Sequence, residues 1–158
     1  MIQLEIATAV TCYLGASSDT PDDEAHRLGE RSPDKAPQPR VLIVEDEGLV
    51  AMNMESALAE EGFTIVGIVD NEIDAVAAAE RLKPDAILMD ITLREGDGIS
   101  AARTILKTLN TRIVFVSGNS DPHTLAAAQE LRPAAFIRKP FVSDSLARLV
   151  RAALLRVN

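Results

Sequence analysis

The sequence has one cysteine, Cys12, and two histidines in 158 residues. A single cysteine excludes an internal disulfide framework, and a cytosolic protein is the simplest expectation. So few Cys and His residues cannot build a four-ligand Cys/His zinc site. Hydrophobic residues make up 47% of the chain, yet no apolar run approaches the ~20 residues that span a bilayer. The N-terminus has no basic region, and Glu5 interrupts its apolar stretch, so no secretory signal is expected. Basic residues are in the minority, 16 against 24 acidic, for a net charge of −8. With a pI near 4.7, the chain is not expected to grip nucleic acid through its phosphates. What remains is a length suited to one domain, or one domain with an appendage. A unit of this size buries about two thirds of its unfolded surface and needs no staples.

The first forty residues differ from the rest. Segment 16–40 is rich in Pro, Asp, Ser and charge, with almost nothing apolar to bury. It reads as a flexible linker or tail. Residues 1–39 hold seven acids against three bases, which is half of the net charge. Within them, Ile2, Leu4, Ile6, Val10, Cys12 and Leu14 share even positions, the spacing of a strand face. Isolated short strands are marginal in water, so residues 1–39 are expected to be an unstructured extension rather than a pairing arm.

From residue 40 the chain alternates regularly. Val41–Val44 is a short continuous apolar run, as expected of a strand buried on both faces. A helical pattern over 48–61 stops at Gly62. Strands are expected at Phe63–Val69, Ala86–Met89, Ile113–Val116 and Ala135–Arg138. The intervening helices are expected from Asn71 to about Lys83, from Gly98 to about Leu109, and over 122–131 with Pro122 in the first turn. Ser143 should cap a last helix whose apolar face is Leu146, Leu149, Val150, Ala153 and Leu154. Five β-α units in residues 40–158 predict an α/β fold: a doubly wound five-stranded parallel sheet with helices on both faces. In such sheets ligands bind beyond the carboxyl ends of the strands.

The residues at those ends form a coherent set. Strand one ends in Glu45-Asp46-Glu47, strand three in Asp90, strand four in Ser117-Gly118 and strand five in Lys139-Pro140. Each alone reads as a turn former, a helix cap or a solvated charge. Together they place three carboxylates, a hydroxyl and an ammonium on one rim. Clustered carboxylates repel unless a cation joins them. All-oxygen ligands favour a hard divalent ion, so Mg²⁺ is the expected guest. A carboxylate can also attack a phosphoryl group and form an acyl phosphate. That chemistry needs in-line positioning and charge neutralisation. All the parts for phosphoryl transfer to Asp90 are present.

This pattern resembles the receiver domains of bacterial two-component response regulators. The segments that carry the resemblance are VLIVEDE, AILMDITLREGDGI, IVFVSGN and AAFIRKPF, within about residues 40–156. The resemblance implies a flavodoxin-like (βα)5 fold. Asp90 would accept the phosphoryl group, and the domain would catalyse its own phosphorylation and dephosphorylation. Asp46 would bind Mg²⁺ directly and Glu45 through water, with the backbone carbonyl of Thr92 as a further ligand. Ser117 would move to hydrogen-bond the phosphoryl group, Lys139 would pair with it, and Phe136 would rotate into the space vacated. The Lys139–Pro140 peptide would be cis, and Gly118 would leave room beside the phosphoryl group. Partners would be a histidine kinase or histidine phosphotransfer protein. A downstream protein would dock on the fourth helix, fifth strand and fifth helix, where His123, Gln129, Arg138, Arg148 and Arg151 are candidates. The last helix ends near Asn158, which implies a single-domain regulator, monomeric or dimeric, without direct DNA or membrane binding. The chain departs from the pattern in having Arg94 where proline is common, Glu45 rather than Asp, and Phe136 without a phenol. Thr92 and Asn119 flank the expected path of the hydrolytic water.

Three other readings are weaker. A haloacid-dehalogenase-like phosphatase carries its nucleophile after the first strand, usually as Asp-x-Asp, and Asp90-Ile91-Thr92 lacks the second Asp. A nucleotide-binding domain would need a glycine-rich phosphate loop after strand one. A pseudo-receiver, which binds proteins without taking phosphate, usually loses one of the groups that are intact here.

Overall fold

A computed structural model describes residues 37–118 and 121–155. The even-position pattern of residues 2–14, the Pro-rich stretch up to residue 36, and Asn119 lie outside the described residues. The described elements are β1 (Arg40–Val44), α1 (Gly48–Glu60), β2 (Thr64–Val69), α2 (Glu72–Leu82), β3 (Ala86–Asp90), α3 (Gly98–Ile105), β4 (Arg112–Ser117), α4 (Pro122–Glu130), β5 (Ala135–Arg138) and α5 (Ser143–Leu155). All five strands are parallel, in the order β2-β1-β3-β4-β5. This is the flavodoxin-like order, whose direction of winding reverses between β1 and β3.

The sheet is central because its inner strands are apolar on both faces. One layer packs Val41, Ile43, Leu88, Val114 and Val116 beneath α1 and α5. The other packs Leu42, Val44, Ile87, Met89 and Phe115 beneath α2, α3 and α4. Successive residues of β1 alternate between the layers, as the period of a strand requires. Among the described residues, no helix is long and apolar enough to cross a membrane.

Local chemistry sets the helix ends. Asn71 caps α2 by accepting from the Asp74 amide at 2.9 Å, and Asp97 caps α3 by accepting from Ile99 and Ser100. Lys83 and Arg132 adopt positive φ after α2 and α4, each just ahead of a proline that cannot continue a helix. Most boundaries fall within a residue of expectation, and local hydrogen bonds explain the differences at α3 and α5. Helix α3 stops at Ile105 rather than near Leu109. There Lys107 and Thr108 turn tightly onto Thr104 and Ile105, and the Thr108 hydroxyl donates back to the Ile105 carbonyl at 3.3 Å. Ser143 is the first helical residue of α5, not its cap. Ser145 and Leu146 instead donate to the carbonyl of Val142. Leu149 is also 42% exposed, and Ala147 takes its expected place in the core.

Candidate functional site

Strands β1 and β3 are neighbours with their carboxyl ends aligned, so the residues after Val44 and at Asp90 converge at the point where the winding reverses. Glu45 is 2% exposed and Asp90 5%. Asp46 stands beside them, and one carboxylate oxygen from each of the three lies within 4.8 Å of the others. Strand β5 brings Lys139 across from the far side. Its ammonium lies 2.6 Å from Asp90 Oδ2 and 2.8 Å from Glu45 Oε1. It also lies 2.7 Å from Glu45 Oε2, a fully buried atom with no aligned hydrogen bond, so attraction there is Coulombic.

One ammonium therefore serves two buried carboxylates. Burial pushes the Glu45 carboxyl above the ordinary range. The Lys139 hydrogen bond opposes that shift, and the negative charge of Asp90 reinforces it. For Lys139, burial pulls the value down. The bonds to Asp90 and Glu45 outweigh it and hold the ammonium above the usual lysine range.

The other expected residues fall around this cluster. Thr92 joins through its amide, which donates to Asp90 Oδ1 at 2.9 Å. Ser117 is 6% exposed at the end of β4, and its carbonyl accepts from the Lys139 amide at 2.9 Å. Phe136 is 37% exposed and stacks on Phe115 with ring centroids 5.6 Å apart. Phe115 lies two residues before Ser117 on β4, so the two share a face of that strand. The Lys139–Pro140 peptide is cis. At Gly118 an added Cβ would meet only Lys139 Cβ, at an ordinary 3.9 Å, so nothing there requires a missing side chain.

Gly98 carries the stronger constraint. A Cβ there would lie 1.9 Å from the carbonyl oxygen of Asp90, so only glycine lets the loop after Asp90 close this tightly. Two contacts had no sequence signal. The Glu72 carboxylate accepts from the Asp97 amide at 2.9 Å, which ties α2 to that loop. Arg94 Nε stands 3.8 Å from Asp46 Oδ2. Of the candidates for an output face, His123, Gln129, Arg138 and Arg148 are exposed. Arg151 is exposed as well, but its guanidinium lies over the Phe63 ring at 4.7 Å and donates to the Glu61 carbonyl, so it is held against the end of α1.

The three carboxylates suit a small divalent ion. Oxygens at about 2.1 Å from Mg²⁺ lie at most about 4.2 Å apart, so carboxylates gathered within 4.8 Å need to draw closer by only a short distance to share one. Residues 41–151 match the model of the response regulator receiver domain. The chain belongs to that family. It is a receiver domain of two-component signalling, with the doubly wound parallel sheet that the strand pattern predicted and the flavodoxin-like order that the resemblance implied. PdtaR of Mycobacterium tuberculosis, a transcriptional regulatory protein, is 36% identical over 123 residues, 78% of this chain and 60% of that protein. The phyllosphere-induced regulator PhyR of Methylorubrum extorquens is 33% identical over 84% of this chain and 48% of its own length. This chain thus spans only about half to three fifths of these two relatives. The chemotaxis protein CheY of Bacillus subtilis is 31% identical and is matched over 97% of its length, 73% of this chain. Among solved structures, the receiver domain of a modulated diguanylate cyclase from Desulfovibrio desulfuricans superposes with a TM-score of 0.71 at 34% identity. That match covers 75% of this chain and 94% of the other.

Proposed function

We propose that this receiver domain takes a phosphoryl group from a phosphohistidine onto Asp90 in a Mg²⁺-dependent reaction, and that the product biases the α4-β5-α5 face toward a downstream protein. The observation that carries this reading is the Lys139 ammonium at 2.6 Å from Asp90, inside a cluster of three carboxylates. In the transfer, a carboxylate oxygen of Asp90 attacks phosphorus. The P–N bond breaks as the P–O bond forms, and the imidazole nitrogen keeps the electron pair. Thr92 fixes the carboxylate through Oδ1. Lys139 is placed to follow the negative charge from Asp90 Oδ2 onto the phosphoryl oxygens. Asp46 and Asp90, with Glu45 behind them, would hold the metal. Bound there, Mg²⁺ would neutralise charge developing on the phosphoryl group. Thr92's carbonyl is proposed as a further ligand.

After transfer, Ser117 would hydrogen-bond the phosphoryl group. Phe136, now half out on Phe115, would turn inward. A bias of a few kcal/mol is enough to change partner affinity. The partners fitting this reading are a histidine kinase or phosphotransfer protein upstream and a protein target downstream, in the cytoplasm.

Beryllium trifluoride, an acyl phosphate mimic, tests the site directly. The expected result is binding that requires Mg²⁺ and is lost in Asp90→Asn. Failure of the wild-type chain to bind it with Mg²⁺ present would favour the pseudo-receiver reading.

A further inference from the structure

The loop after β3 is pinned on both sides. Thr92 and Asp97 form an isolated antiparallel bridge, and the Gly98 amide donates to the Ile91 carbonyl at 3.1 Å. Glu72, at the start of α2, accepts from the Asp97 amide and donates its own amide to the Glu95 carbonyl at 3.2 Å. Gly96 turns at φ 89 against the Glu72 side chain. Arg94 is at the apex of this held loop. Its side chain is 77% exposed, yet it leans over Asp46, whose side chain is only 16% exposed. Among the described residues, Arg94 is the one ion-pair partner of Asp46. The two line a recess of about 140 Å³ with Asp70, Asn71 and Glu95.

We propose that Arg94 is an internal competitor for the divalent ion: its guanidinium neutralises Asp46 in the ion-free chain and weakens ion binding by holding that carboxylate. The inference rests on reading the acidic cluster as a divalent-ion site. A guanidinium beside a ligand carboxylate repels an incoming dication and offers it no lone pair. Arginine stays charged throughout the usual pH range, so the competition does not titrate away. Its exposure makes the competition sensitive to salt. The ordinary strength of exposed ion pairs corresponds to about a two- to fivefold effect on ion affinity.

The test is calorimetric titration of Mg²⁺ into the full chain for wild type, Arg94→Ala, Arg94→Gln and Arg94→Lys, at low and high NaCl. Both neutral variants are expected to bind two- to fivefold more tightly, Arg94→Lys like wild type, and the difference to shrink at high salt. Neutral variants that bind Mg²⁺ no tighter than wild type overturn the inference and leave the ion site standing. No Mg²⁺ binding by wild type or any variant overturns the ion site, and the inference with it.

Discussion

Val44 and Glu45 are adjacent in the chain, 0% and 2% exposed, and opposite in the cost of that burial. The same step recurs at Met89–Asp90 and at Val116–Ser117. Below it lies an apolar belt, where burial stabilises at about 25 cal/mol per Å² removed from water. Above it lies a rim where two carboxylates and an ammonium are taken out of water and repay that cost only by pairing. Apolar residues of similar volume would often serve stability as well or better. The rim therefore adds little to stability, the belt carries the fold, and the proposed chemistry at Asp90 gives the rim its use. Mutations can separate these roles.

The largest effect is expected in the belt. Phe115→Ala should lower unfolding stability by about 3–5 kcal/mol in urea titration. It should also free the Phe136 ring that stacks on it. Loss below 1 kcal/mol would mean that the belt does not carry the fold. Next comes the rim. Lys139→Met leaves Glu45 and Asp90 facing each other without their cation, and should cost about 3 kcal/mol. Unlike the belt variant, it should be partly rescued by adding Glu45→Gln. A double variant no more stable than the single one would count against the shared-cation picture.

Below these stand the helix caps. Asp97→Ala removes the acceptor for two α3 amides and should cost about 1 kcal/mol. It should disturb the loop that carries Arg94 more than it disturbs the sheet, which hydrogen exchange can resolve. The smallest effect concerns pH. The amide and hydroxyl of Thr124 hold the Asp121 carboxyl below its ordinary value. A depressed carboxylate contributes stability that is present above its unfolded pKa, about 3.9, and is lost as pH falls through the folded value. The melting-temperature advantage of wild type over Asp121→Asn should therefore fade below about pH 4. An advantage that grows on acidification would contradict the sign.

The belt was legible because its signal is local. Short apolar runs such as Val41–Val44, bounded by Gly, Pro and capping residues, mark a buried strand within a few positions. The rim was legible at one remove. Parallel topology aligns the strand ends, so Glu45, Asp46, Asp90 and Lys139 could be placed together before any contact was known. Arg94 over Asp46, Glu72 reaching back to Asp97, and Arg151 on Phe63 were not legible. Long side chains choose among partners that only the packed structure presents. The early end of α3 depends on a hydroxyl turning back on its own backbone, a choice that helical periodicity does not record. The reason for glycine at position 98, the Asp90 carbonyl standing where a Cβ would be, needed coordinates.

The central claim is that the rim is built to accept a phosphoryl group at Asp90. Its most direct test is intact mass after incubation with Mg²⁺ and acetyl phosphate, beside Asp90→Asn and an EDTA control. The account predicts one added phosphoryl group on wild type, none on Asp90→Asn and none with EDTA. An adduct that persists in Asp90→Asn, or no adduct on folded wild type, would contradict it.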